Sequence, residues 1–160
     1  MNFFEGEWEY LLEEQYRRLG TRTPRCIEPA CEESNPFAFT GAHPNLWCYE
    51  HALIRAGRGW LEDHHGKGHR NDAFDIVELP GNDHRVLNGR QLLWPPDTLR
   101  NPDGSPLLVA AAALRGWLDV LWLIIDRTVG WVPEFLEQLD AWLRQQLGER
   151  WWDGFTWRKL

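Results

Sequence analysis

Between Glu62 and His84 the chain sets Asp63, His64 and His65 side by side, Asp75 ten residues after His65, and His84 nine residues after that. Carboxylates and imidazoles are donors a divalent cation accepts, and a neutral imidazole titrates near working pH, where it can take a proton from water. Their crowding into one short window points to a bound divalent ion with a general base beside it. A second constellation precedes the first. Cys26-x4-Cys31, a sixteen-residue spacer and Cys48-x2-His51 use all three cysteines of the chain. Three thiolates and an imidazole make a closed tetrahedral zinc site, which contributes folding energy and leaves no position open for chemistry. His43 is a spare candidate ligand should His51 point away. Three cysteines cannot pair off, which argues for a reducing compartment.

Particular elements must hold these groups. Trp60 and Leu61 lead into the histidine pair as an extended entry, and Gly66 to Asp72 has the Gly and Asn content of a loop. Phe74, Ile76 and Leu79 restore apolar character as a second short strand. Pro80-Gly81-Asn82-Asp83 ends it, with Asn82 or Asp83 as cap of a helix that starts near His84 and runs through Val86, Leu87 and Leu92. A hairpin closed by a helix brings His64 or His65 near His84, with Asp75 at the edge of the same cleft.

On these residues the segment resembles the HNH endonucleases, the ββα-metal or His-Me finger superfamily. His64-His65 matches the family's His pair, Asp75-Ile76-Val77-Glu78-Leu79 its Asn-Leu-Val-x-Leu phrase, and His84 its final histidine. Asp75 stands where the family has Asn. The resemblance covers roughly residues 60 to 90 and implies hydrolysis of DNA phosphodiesters with one divalent ion, Mg2+ or Mn2+, with Zn2+ or Ni2+ as alternatives. It makes His65 the general base, His64 and His84 the ligands, and Asp75 a ligand or an orienter of the base. A register one residue earlier, with Asp63 as ligand and His64 as base, fits equally. The Cys26-to-His51 segment is similar to the zinc knuckles that precede some HNH cores, which makes zinc there structural.

At 160 residues the chain can bury one sizeable core or two small modules. Its net charge of −7 and pI near 5.3 oppose a broad basic nucleic-acid face, although positive and negative side chains balance between residues 55 and 90. The start lacks the basic residues and apolar run of a secretory signal, so a cytoplasmic protein is expected. Trp8, Leu11, Leu12, Tyr16 and Leu19 have helical spacing, with Gly20 as the stop. The spacer from Glu32 to Trp47 reads as a loop whose Phe residues pack on a helix running from His51 to Gly57.

Ser105-Pro106 starts a long apolar helix through Val129, and Val132 to Leu147 forms another. Arg115 and Asp119 in the middle of the first favour an ion-paired stripe on a covered helix over a membrane span. The two helices are expected to form a hairpin, whose uncovered apolar faces predict a homodimer or larger assembly. The tail from Trp151 to Leu160 suits either stacking on bases or folding back onto those helices.

The expected fold is α+β and mostly helical. It comprises an N-terminal helix (1–22), a zinc knuckle (23–59), an HNH-like ββα-metal core (60–97) and a tryptophan-rich helical hairpin with its tail (98–160). Two functions are compatible: a DNA nuclease, or a zinc-stabilised interaction or nucleic-acid-binding protein retaining a degenerate HNH core.

Overall fold

In a computed structural model of the chain, residues 5–72, 74 and 76–153 are described. The fold is α+β, with helices around two separate two-stranded antiparallel sheets, and it divides into two compact units, 1–121 and 122–160.

In the first unit, α1 (Glu5–Leu19) ends where Gly20 takes a φ of +74° and its amide donates back to Tyr16. That left-handed stop is open to glycine at little cost. The spacer read as a loop is instead a 3-10 turn (Pro36–Ala38) and a hairpin, β1 (Phe39–Ala42) with β2 (Asn45–Cys48). Gly41 makes the hairpin possible: its φ is +84°, and a Cβ there would lie 2.6 Å from the Asn45 carbonyl oxygen. Four-residue strands are too short to show a period, so only the buried Phe39, Leu46 and Cys48 betray them. These three pack with Leu19 into a core against which Cys26 and Cys31 lie. Phe37 takes a different neighbour from the one expected. It stacks on Trp8 of α1, ring centroids 4.7 Å apart, and presses so closely on Gly89 that a Cβ there would sit 2.6 Å from its ring.

Next come α2 (Tyr49–Arg55), β3 (Leu61–His65), β4 (Ile76–Pro80) and α3 (Gly81–Gln91). β3 and β4 pair with Leu61 opposite Pro80 and His65 opposite Ile76. α3 begins three residues before the expected start, so Asn82 and Asp83 fall inside its first turn and neither caps it. Asn82 ties α3 to α2 instead: its Oδ1 accepts from the Glu50 amide at 3.0 Å, and its own amide donates to Glu50 Oε1 at 3.2 Å. Val86 and Leu87 are fully buried beneath. The loop between the strands is fastened to α4 (Pro96–Arg100), because the Asn71 carboxamide donates to the carbonyls of Lys67 and Thr98, both at 2.9 Å.

α5 (Pro106–Val129) runs across the division between the units. In the first unit Gly116 lets it approach the β3–β4 loop, since a Cβ at that position would lie 1.9 Å from the Gly66 carbonyl oxygen. Asp119 does not serve a stripe with Arg115. It turns inward, accepting from Arg90 Nε at 2.8 Å and from the Trp94 indole at 2.9 Å.

In the second unit, the end of α5 passes through Gly130 and Trp131 into α6 (Val132–Leu147). Within this unit α6 buries none of its residues. Trp131 meets Phe135 edge to face. Trp151 and Trp152 fold back on α6, the first donating to Asp140 Oδ1 at 2.8 Å and the second lying under Arg144. The remainder of the tail, residues 154–160, lies outside the described residues. By length and composition the stretch Pro106–Leu147 could cross a membrane, and 22 % of its most apolar window is buried.

Candidate metal centre and histidine face

The knuckle gathers its four donors from three places in the chain. Cys26 and Cys31 come from the segment after α1, Cys48 from the end of β2, and His51 from the first turn of α2. Backbone geometry sets the last two: Cys48 occupies the N-cap of α2, and its sulfur accepts from the His51 amide at 3.5 Å. The four ligand atoms all lie within 4.8 Å of one another. Sulfurs bound to one tetrahedral zinc at about 2.3 Å stand about 3.8 Å apart, and a sulfur and a ligating nitrogen about 3.5 Å. Here Cys31 Sγ and Cys48 Sγ are 3.8 Å apart, and His51 Nδ1 is 3.6 Å from Cys26 Sγ and 3.0 Å from Cys48 Sγ. The residues therefore fit a zinc ion. Burial pushes the Cys48 thiol up to about 12 and raises that of Cys31. A cation is what would bring such thiols to the thiolate form. His43, the spare candidate, is exposed at the β1–β2 turn and is not one of the four.

β3, β4 and α3 form a strand hairpin closed by a helix, and alternation along β3 sorts the second set of candidates. Glu62 and His64 point to one face, where His84 meets both. The imidazoles of His64 and His84 approach edge to face with centroids 5.4 Å apart, and His84 Nδ1 donates to Glu62 Oε2 at 2.7 Å. A carboxylate can only accept, so that bond puts the proton on Nδ1 and leaves the Nε2 lone pair, toward which the Asn88 carboxamide donates at 3.2 Å. His64 is 3 % exposed, and its Nδ1 is buried without a partner. Burial first, then the neighbouring imidazoles of His84 and His65, lowers its pKa to about 4. It is neutral at physiological pH.

The other candidates stand apart from this pair. His65 falls on the opposite face, where its ring meets His69 at 4.7 Å and its Nδ1 is also buried without a partner. Asp63 is exposed and sits across from Glu78 on β4. Asp75 lies outside the described residues. Among the described residues the knuckle is the sole set in which three or more donors converge, so the histidine face offers two imidazoles and no third ligand gathered with them. A cavity of about 210 Å3 borders it, lined by His64, Lys67, Val77 and Leu79 together with Gly116 and Trp117 of α5.

Sequence reasoning missed Glu62 and Asn88. Both were within reach of it: Glu62 is two residues from His64 on a strand, and Asn88 is four from His84 on a helix, spacings that place side chains on one face. Tyr49, whose hydroxyl donates to Glu62 Oε1 at 3.3 Å, carried no such signal. No protein-family model matches the chain, and no curated protein and no solved structure matches it.

Proposed function

We propose that the protein is a metal-dependent nuclease of the HNH type, hydrolysing DNA phosphodiester bonds on the face shared by Glu62, His64 and His84. The observation that carries this reading is the Glu62–His84–Asn88 relay. A carboxylate that fixes the tautomer of a histidine is the usual support of a metal-ligating imidazole, and the Asn88 carboxamide that occupies the other ring nitrogen would turn aside for the ion. His64 and His84 would hold the divalent ion, with Asp75 as the third ligand; bound there, the ion would screen the phosphate and stabilise the leaving oxygen. His64 stays neutral, as a ligand must. His65, whose ring meets His69 on the other face of β3, would have to turn toward the ion to take the proton from the attacking water, and the loop that follows is held by Asn71. Zinc in the knuckle would be structural.

The test is nicking of supercoiled plasmid with Mg2+ or Mn2+, using the wild type beside His65→Ala and His84→Ala prepared identically. Loss of nicking in both variants is the expected result. Nicking of equal strength in all three would be contamination and would end the proposal.

A second reading is favoured by the burial of His64 and by the lack, among the described residues, of a gathered third ligand. In it the hairpin and helix are a scaffold, and the zinc-stabilised protein binds partners without cutting. A second copy of the chain is the partner proposed for the exposed Phe135, Leu136, Trp142 and Leu147 of α6. Light scattering on the purified chain should give a dimer mass, and a monomer at all concentrations would remove that partner.

A further inference from the structure

A cleft of about 350 Å3 opens between α1, β1 and α3. Arg18, Arg85, Asn88 and Thr40 are among its polar lining residues, beside Tyr49, whose ring lies under Arg85. No carboxylate lines it, in a chain whose net charge is −7. Arg18 donates to the Phe39 carbonyl and to Gln15 Oε1, both at 2.8 Å, and Arg85 lies over the Tyr49 ring at 3.8 Å. These contacts fix both cations without neutralising them. Neither has a carboxylate partner among the described residues, whereas Arg17 and Arg22 nearby on the surface are each paired with a glutamate. Partial burial disfavours the Arg18 cation, a cost that a bound anion would offset.

The cleft is also wired to the histidine face. Asn88 lines the one and donates to His84 on the other, and Tyr49, beneath Arg85, donates to Glu62. We propose that Arg18 and Arg85 bind a phosphate of a polynucleotide backbone in this cleft, holding the strand beside the His84 site. Two guanidinium forks suit the tetrahedral oxygens. The proposal names the substrate contact of the nuclease reading and rests on it for its biological sense, though the binding can be measured separately.

The experiment is fluorescence anisotropy of a labelled oligodeoxynucleotide without divalent ion, between about 50 and 200 mM salt. Arg18→Gln and Arg85→Gln should each weaken binding by about tenfold and flatten the log–log salt slope by about 1. Arg18→Lys and Arg85→Lys should keep the slope, with unchanged zinc content and melting temperature showing that every variant folds. Unchanged affinity and slope in the folded double Gln variant would overturn the proposal. So would a wild type that perturbs the 31P resonance of inorganic phosphate but holds no oligonucleotide. Arginine-dependent binding without any cleavage would keep the cleft and discard hydrolysis, whereas cleavage indifferent to both arginines would do the reverse.

Discussion

The knuckle and the histidine face start from similar sequence signals and end differently. Both are clusters of metal-binding side chains in which a turn or strand meets the beginning of a helix. In the knuckle four donors converge at distances a single zinc would impose, and the surrounding core of Leu19, Phe39, Leu46 and Cys48 is built onto them. On the histidine face two imidazoles converge, and the third group in contact, Glu62, is spent on orienting one of them. The difference lies in how each element spreads its residues. A strand sends neighbours such as His64 and His65 to opposite faces, so adjacency in sequence divides a ligand set, whereas loop and helix-turn backbones let distant cysteines meet.

The largest effect should come from breaking the complete site. Free energies of structural zinc binding, about 10 to 16 kcal/mol, match or exceed the whole stability of a domain. Cys48→Ser, or wild type stripped with a strong chelator, should therefore lose the cooperative thermal transition of the first unit. Mass analysis of the wild type should find one zinc per chain. A metal-free wild type melting at the same temperature would remove zinc from the structure altogether.

Breaking the relay should show the opposite balance. Glu62→Gln keeps the shape but no longer fixes the His84 tautomer, and the loss of such an orienting carboxylate costs about 10- to 100-fold in metal affinity or activity. Zinc content should not change, and the fold should survive. If Glu62→Gln released zinc from the knuckle, the two regions would be one site in energetic terms and the comparison would fail.

Next in size is a dependence on pH carried by His64. Its folded pKa of about 4 lies below the ordinary histidine value of 6.5, so the unfolded chain binds the extra proton between these values. Stability from the neutral ring is fully present above about pH 6.5 and is lost as pH falls toward 4, by roughly 3 kcal/mol at most. Measured without added divalent ion, His64→Gln should flatten stability in that window. An NMR titration placing the His64 ring near 6.5 would contradict its burial.

What the sequence disclosed follows the same physics. Cys26, Cys31, Cys48 and His51 were legible because chemistry limits what three cysteines and a knuckle-spaced histidine can do. The β3–β4–α3 order was legible because apolar residues return between the glycine-rich loop and Pro80. The β1–β2 hairpin was hidden because Gly41 and Pro44 mark a turn and a loop alike, and each strand is only four residues long. Arg115 and Asp119 misled because helical spacing permits a pair without requiring one. Arg90 and Trp94, distant in sequence, offered Asp119 two donors at once. The α5–α6 hairpin was read from two apolar faces, and apolarity alone does not choose which partner covers a face.

The smallest predicted effect concerns Tyr49, which touches both the relay and the arginine cleft. Its hydroxyl donates to Glu62 at 3.3 Å, while its ring lies beneath Arg85. Tyr49→Phe deletes the hydroxyl and keeps the ring, so it should cost about 0.5 to 1.5 kcal/mol of stability and leave zinc content unchanged. Glu62 Oε1 retains Arg58, 3.8 Å away, as an electrostatic neighbour, which limits the loss. Oligonucleotide affinity should hold, because the stacked surface under Arg85 is intact. A drop in affinity as large as that of Arg85→Gln would mean that the phosphate is held through the relay rather than by the guanidiniums. The cleft and the histidine face would then be a single binding surface.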